Sequence, residues 1–358
     1  MTGCVTVRFD YCSRNSGKCV KKVQSVRDPA CSLSIGGTAL RNRAFLAPMA
    51  GITDRPMRQL AARYGAGLVV SEMIASGALS VGNDDMRRKL APSPGLPHMV
   101  QLAGCEVEWM DRAARIAEDA GADIIDINFG CPAKRVTNGY AGSALMRVPD
   151  LAQSLVEAVV RATSKPVTVK MRLGWDDDSL NAPEIARRAV DAGAQMITVH
   201  GRTRQQFYKG EARWRPIRDV VEAVPVPVVV NGDITSLARA REALAQSGAA
   251  AVMIGRGAHG RPWLVGQIGA GLAGTAAPEA PVGSDLTSVV VEHYEGVLSE
   301  YGVDVGVRAA RKHIDWYLEG HMCDAKKIGR KRLLESLNPA EVIALIEDLF
   351  SGDLRAAA

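Results

Sequence analysis

The chain of 358 residues contains no apolar run of ~18 residues, the minimum for a helix that crosses a membrane. Its opening stretch, MTGCVTVRFDYCSRNSGKCV, lacks the apolar segment of a secretory leader. Close Cys-x-x-Cys pairs are missing as well. Cys4, Cys12, Cys19 and Cys31 are spaced by eight, seven and twelve positions, which is not zinc-site spacing. A metal-binding or iron–sulfur tail is therefore outweighed by a plain basic tail, and no metal is expected. Seven cysteines, an odd number, without a leader argue against a disulfide framework and for a cytoplasmic location.

What is present is an ordinary globular composition, 47% hydrophobic and 23% charged. The length suits one large domain and a smaller one. The net charge of +5 is mild, but it is unevenly spread. Residues 1–43 carry net +6, 44–283 net +3, and 284–358 net −4. Inside that acidic end, Arg308 to Arg332 holds eight Lys/Arg against three acids. A concentrated basic patch suits a polyanionic partner, although a solvated helix face explains the charge equally well.

Short β-branched runs recur, each leading towards a helical stretch. The runs are Ala44–Ala47, Leu68–Ser71, Met99–Gln101, Ile124–Asn128, Val167–Met171, Met196–Val199, Val228–Asn231 and Ala251–Ile254. Such near-continuous apolar strands belong to parallel sheets buried on both faces. Gly121, Gly193 and Gly248 each stand where a helix end needs positive φ before the next strand. Eight units over this length predict a (β/α)8 TIM barrel rather than an open doubly wound sheet. Residues 1–35 show no periodicity and are expected to be a basic, disordered tail. The barrel is expected over 36–270, an Ala/Gly/Pro-rich linker over 271–284, and a small all-α domain over 285–358. Within that domain Leu286–Tyr301, Val307–Leu318 and Pro339–Phe350 are the expected helices, with a loop before the last.

Chemistry in such barrels gathers at the carboxyl ends of the strands. Those ends read Ala47-Pro48-Met49-Ala50, Ser71-Glu72-Met73, Gln101-Leu102, Asn128-Phe129-Gly130-Cys131-Pro132, Lys170-Met171-Arg172, His200-Gly201-Arg202, Asn231-Gly232-Asp233 and Gly255-Arg256-Gly257. A barrel built for stability alone does not require Gln, Lys, His and Asn there. Gly232 and Gly255-Arg256-Gly257, after strands seven and eight, match the phosphate site of many barrels. Gln101 and Asn231 offer donor and acceptor together, and Lys170 and His200 offer charge or hydrogen bonds to a ring. Taken singly, Lys170 is as readily a surface cation and His200 a satisfied core histidine. Together the set points to a flavin phosphate, although a phosphosugar isomerase would share the phosphate end. Cys131, aimed by Pro132, is by position a nucleophile, a metal ligand or a proton donor.

These strings resemble the tRNA-dihydrouridine synthase family, most closely its bacterial B-type branch, which includes proteins named for nitrogen regulation. The resemblance rests on Ala47–Pro56, Asn128–Lys134, Val169–Trp175, Val199–Arg204, Asn231–Ile234 and Ile254–Gly257, and covers residue 35 to the C-terminus. Phe129 stands where the family more often has methionine, a change expected to reshape local packing only. The resemblance implies FMN held by Pro48, Met49, Ala50, Gln101, Lys170, His200, Asn231, Gly232 and Asp233, with Gly255 and Arg256 at the phosphate. It implies NADPH as reductant, NADH being the alternative, and Cys131 as the proton donor. Asn128 resembles a substrate-orienting residue, and the helical domain the part that grips tRNA.

Reducing the uracil 5,6 double bond needs hydride at C6 and a proton at C5, and an ordinary thiol, with reference pKa ~8.5, is mostly protonated at neutral pH. Lys134, Arg135, Arg172, Arg202 and Arg204 at the mouth are expected to meet substrate, as are Arg308, Arg311, Lys312 and the Lys326–Arg332 cluster. No obligate protein partner is evident. A small-molecule flavin reductase would lack the need for residues 284–358, and a non-catalytic regulator would purify colourless. Within the family likeness, the expected product is dihydrouridine at a D-loop uridine, with tRNA position 17 as the B-type expectation.

Overall fold

A computed structural model describes residues 33–133, 136, 141–321 and 327–351. Eight strands form the barrel: β1 (Ala44–Leu46), β2 (Leu68–Val70), β3 (His98–Ala103), β4 (Ile124–Phe129), β5 (Val167–Arg172), β6 (Ile197–His200), β7 (Val228–Asn231) and β8 (Ala251–Ile254). Each pairs in parallel with the next, and β8 returns to β1 through Val252↔Ala44 and Ile254↔Leu46, so the sheet closes. Closure removes exposed edges and turns alternate residues inward.

The inward residues fill the barrel in two kinds of layer. Phe45, Leu68, Met99, Ile124, Met196, Val229, Ala251 and Met253 form an apolar plug at the amino-terminal end. Leu33, Ile35 and Leu40 belong to the same cluster, carried by a two-stranded hairpin of Ser34–Ile35 and Thr38–Ala39. The folded part thus begins before residue 36. No periodicity marked it because two-residue strands are too short to show one, and their apolar side chains close the barrel floor.

Apart from two five-residue helices, Ser76–Ser80 and Asp84–Arg88, the helices outside the barrel are α1 (Arg55–Arg63), α2 (Val107–Asp119), α3 (Pro149–Ala162), α4 (Ala182–Asp191), α5 (Ile217–Ala223), α6 (Leu237–Ser247) and α7 (Leu264–Ala273). Asp54 caps α1, its carboxylate accepting the Met57 N–H at 3.1 Å, with Pro56 in the first turn. Gly121, Gly193 and Gly248 all adopt positive φ, as the punctuation after α2, α4 and α6 requires. The glycines of α7 serve close approach rather than flexibility. A side chain at Gly266 would collide with the Tyr64 carbonyl, and one at Gly271 with Leu237. Consequently the helix runs three residues into the stretch that composition assigns to a linker.

Beyond it lie α8 (Gly283–Tyr301), α9 (Val303–His321), α10 (Lys327–Glu335) and α11 (Pro339–Ser351). The helix α10 occupies part of the segment expected to be a loop. Its sequence is rich in basic residues, and tertiary packing fixes it through buried Leu333 and through Gly329, where a Cβ would press on Leu349. The helical core of Leu286, Val290, Tyr294, Ile314, Tyr317 and Ile346 also includes Leu60 of α1 and Trp263 beside α7, so it is continuous with the barrel's outer face. No helix among the described residues is long and apolar enough to cross a membrane.

Candidate active site at the carboxyl ends of the strands

Strand alternation decides which side chains face the barrel axis. On β4 it turns Asp126 and Asn128 inward, on β5 Thr168, Lys170 and Arg172, and on β6 Thr198 and His200. Register then places Gln101 beside Asp126, Asn128 beside Lys170, and His200 beside Asn231. A hydrogen-bonded chain follows. Thr168 donates to Asp126 Oδ1 at 2.6 Å, Gln101 Nε2 donates to Asp126 Oδ2 at 2.6 Å, and Asn128 Nδ2 donates to Gln101 Oε1 at 2.7 Å. Asn128 Oδ1 in turn accepts the backbone N–H groups of Gly130 (3.1 Å) and Cys131 (2.9 Å). The half-buried, free Cys131 is therefore aimed by a chain that starts on a carboxylate deep in the barrel. Ser143 secures the loop from its other side, donating its N–H and hydroxyl to the Cys131 carbonyl at 3.1 and 2.9 Å.

Asp126 was not singled out from sequence as a site residue, although its inward position beside Asn128 was readable from the alternation Ile125-Asp126-Ile127-Asn128. Burial pushes its carboxyl up to about 6, against the opposing bonds from Gln101 and Thr168. Lys170 lies above, its ammonium 3.2 Å from Asn231 Oδ1, and Asn231 Nδ2 donates to the Met253 carbonyl at 2.8 Å. Burial, then the neighbouring Arg172, pushes Lys170 down to about 8. Burial and the cations Arg172, Lys170, Arg202 and Arg256 hold His200 well below its ordinary value, so the ring is neutral. Arg202 Nη1 can only donate, so His200 Nε2, 3.1 Å away, accepts and the ring proton sits on Nδ1.

The end expected to take a phosphate assembles from β7 and β8. Gly232 has φ of +121°, and a Cβ there would lie 2.9 Å from the His200 ring and 2.7 Å from Ala212. Asp233, at φ +52°, spends its carboxylate on Arg202 (2.6 Å), the Ala212 N–H (2.7 Å) and Arg256 (3.2 Å). Burial raises its carboxyl, but Arg202, the Ala212 N–H and Arg256 outweigh this and hold it low. Asp233 thus orients the half-exposed Arg256. Pro48, Met49 and Ala50 line the rim in a turn closed by Met49 N–H donating to Thr53 Oγ1 at 2.8 Å. Met49 Sδ reaches to 3.6 Å from where a Cβ on Gly255 would stand. Glu72 pins the same turn by accepting the Gly51 N–H.

Two expected substrate contacts are buried in the folded chain. Arg172 and Arg202 are 2% and 1% exposed, because alternation turns the first into the barrel and Asp233 draws in the second. Arg172 donates to the Gly130 carbonyl (2.7 Å), joining the Cys131 loop to the carbonyls of Thr203 (2.9 Å) and Phe207 (2.8 Å). Arg202 donates to Gly210 (2.7 Å) and Lys209 (3.3 Å) as well as Asp233. Both fasten mouth loops, Arg202 through all three guanidinium nitrogens and Arg172 through Nε and Nη1. Arg204 is half-buried, 4.7 Å from the Trp175 ring centroid. Exposed Phe207 and Tyr208, unremarked in the sequence, stand on that loop, with Arg172 and Arg256 each 5.5 Å from the Tyr208 centroid. Lys134, Arg135 and Lys326 lie outside the described residues, as do Cys4, Cys12, Cys19 and Cys31.

On the helical side Arg308 is exposed and Arg311 donates to the Glu335 carbonyl at 3.2 Å. Lys312 leans over the mouth, its ammonium 3.3 Å from where a Cβ on Gly51 would stand. Arg330 and Arg332 are tied to Asp315 and Glu341, both at 2.6 Å, so they are less free than the basic run suggested.

The family model for dihydrouridine synthase matches residues 45–350. The chain is 55% identical over 322 residues to a protein of Rhodobacter capsulatus named probable tRNA-dihydrouridine synthase, covering 89% of this chain and 98% of that one. It is 45% identical to tRNA-dihydrouridine synthase B of Vibrio cholerae, covering 81% and 90%. Among solved structures, 6-hydroxypseudooxynicotine amine oxidase of Pseudomonas geniculata shares the fold at 18% identity and a TM-score of 0.54, covering 75% of this chain and 53% of that one. A closed eight-stranded barrel with this set of strand ends, matched over nearly its whole length at such identity, belongs to the dihydrouridine synthase family.

Proposed function

We propose that the protein reduces a D-loop uridine of tRNA, best assigned to position 17, to 5,6-dihydrouridine, using FMN and NADPH. The observation that carries this reading is the aiming of Cys131 by the Asn128–Gln101–Asp126 chain, beside Lys170 and within a family of this activity. The donor set suits FMN. Lys170, His200, Gln101 and Asn231 present charge and hydrogen bonds to a ring, and Gly232, Asp233, Gly255 and Arg256 form a cradle for its phosphate. Gln101 has one hydrogen and one lone pair left after bonding Asp126 and Asn128, enough for a ring edge.

Held by these residues and reduced, FMN would supply the hydride that C6 of the uracil needs. Cys131 Sγ gives its proton to C5, and the Asn128 carboxamide keeps the thiol loop in place while it does so. Lys170 keeps positive charge within the pocket, which favours an electron-rich ring. The target uridine must leave its stack to reach the barrel mouth, and exposed Tyr208 and Phe207 offer ring faces at that mouth. Arg308, Arg311 and Lys312, with Arg204, are the basic groups best placed for the tRNA backbone. A tRNA substrate places the reaction in the cytoplasm.

The test is complementation of a strain lacking all its dihydrouridine synthases, with position-resolved mapping of the modification. Dihydrouridine at position 17 is expected; its absence everywhere from cells with flavin-loaded protein refutes the reading. The Cys131→Ala variant should keep flavin reduction by NADPH and lose ~10²–10⁴-fold in uridine reduction. An unchanged uridine rate would remove Cys131 as the acid. Comparing NADPH with NADH in anaerobic flavin reduction decides the electron donor.

A further inference from the structure

Where the start of α1 meets α8 and α9, three side chains with no part in the proposed reaction converge. Asp54, His293 and His313 are 4%, 3% and 4% exposed. A carboxylate oxygen of Asp54 and one ring nitrogen from each histidine all lie within 4.8 Å of one another. The two rings are tilted at 50° with centroids 4.5 Å apart. His293 Nδ1 lies 3.1 Å from the Tyr317 hydroxyl, and with Nδ1–H donating there Nε2 carries the lone pair. Nε2 of His293 and Nε2 of His313 are both buried with no hydrogen-bond partner among the described residues. Native folds rarely leave two such atoms unmet side by side.

We propose that Asp54, His293 and His313 form a structural site for a divalent transition metal, zinc by its donor set, that ties the rim of the barrel to the C-terminal helices. Two imidazoles and one carboxylate are the ligands zinc takes, with water completing a tetrahedron, whereas magnesium and calcium ask for six or more oxygens. Ligand atoms in a tetrahedral zinc site stand ~3.4 Å apart, so the three side chains need close by only about an ångström. The Tyr317 hydroxyl on His293 is the outer contact that fixes the orientation of a metal-binding histidine. Burial pushes the Asp54 carboxyl up to about 7 against the Met57 N–H; Glu72 and Glu300 add to the rise and Lys312 opposes it. Arg58 is spent on Thr53, Ser93 and Ala91. Because Asp54 directly follows the turn of Pro48–Thr53, an ion here would set how the helical region stands over the pocket.

The test uses the flavin-loaded full chain purified from zinc-supplemented medium, with metal per chain measured by plasma mass spectrometry. One zinc per chain is expected. After chelation, added Co2+ should bind one per chain and give d–d absorption bands without a thiolate charge-transfer band, since no cysteine is a ligand. A variant with Cys4, Cys12, Cys19 and Cys31 all changed to Ser should bind equally well. Asp54→Asn, which can still cap α1, and His313→Gln should each weaken Co2+ binding at least ~100-fold. His259→Gln, a histidine outside the cluster, should not. Restoring Zn2+ to the chelated wild type at ~100 times Kd should raise Tm by ~4 °C, and should not do so in Asp54→Asn. Zinc far below one per chain with no stoichiometric Co2+ binding by the wild type would overturn the proposal. So would a thiolate band, or binding unchanged in both ligand variants. Should either variant fail to fold, the wild-type cobalt stoichiometry and spectrum decide alone.

Discussion

Replacing Arg202 by Met removes a buried guanidinium while nearly keeping its length. In the native site Arg202 donates to Asp233 Oδ2 at 2.6 Å, to the carbonyls of Gly210 and Lys209 at 2.7 and 3.3 Å, and to His200 Nε2 at 3.1 Å. The arginine side chain is 2% exposed and that of Asp233 22%. Breaking a buried pair from one side costs ~3–5 kcal/mol. Asp233 keeps the Ala212 N–H and Arg256 and retains some access to water, so the low end, about 3 kcal/mol, applies. In a chain of this size that amounts to ~4–5 °C in Tm, read by calorimetry or circular dichroism. The loss should be coupled to Asp233: Asp233→Asn should cost clearly less in the Arg202→Met background than in the wild type, as a double-mutant cycle measures. His200 loses the donor that fixes its tautomer, so flavin retention through gel filtration should fall as well. A Tm within ~2 °C of wild type, or full additivity with Asp233→Asn, would show that Arg202 is not a fastening residue.

Gly232→Ala places a methyl group 2.7 Å from Ala212 Cβ and 2.9 Å from the His200 ring at φ +121°, so flavin content after purification should drop sharply while the rest of the fold persists. Asp126 has a folded-state value of about 6 against an ordinary 3.8, so the folded form holds more protons than the unfolded between those values. Its contribution to stability is therefore present at low pH and declines as pH rises from ~4 to ~6, by ~2–3 kcal/mol in all. Subtracting the Asp126→Asn stability profile from the wild-type profile should show that decline; a flat difference would refute it. Changing Arg308, Arg311 and Lys312 together to Ala should lower tRNA affinity and reduce the slope of log affinity against log salt by about 2–3. An unaltered slope would place the tRNA elsewhere.

Much of the barrel was legible because its causes are local. Runs such as Ile124–Phe129 are apolar on both faces, and the glycines after α2, α4 and α6 need positive φ whatever surrounds them. The hairpin at Leu33 and the helix α10 were not legible. Each is fixed by where its few apolar residues dock, which no window of sequence contains. The strand-end residues were readable for the same local reason as the strands, since alternation alone turns Lys170, His200 and Asn231 inward.

Short-range pattern was thus enough for the eight-unit barrel, the polar face at its strand ends and Cys131 within it, because period and punctuation act over a few residues. What each polar group is attached to depended on the folded chain. Packing buried Arg172 and Arg202 and bonded them to the mouth loops, and it joined Asp126 to Cys131 through two carboxamides. It also brought Asp54 against His293 and His313 from more than two hundred residues away. Those outcomes depend on which charges share one desolvated space, and that is set by how helices and strands rest on one another.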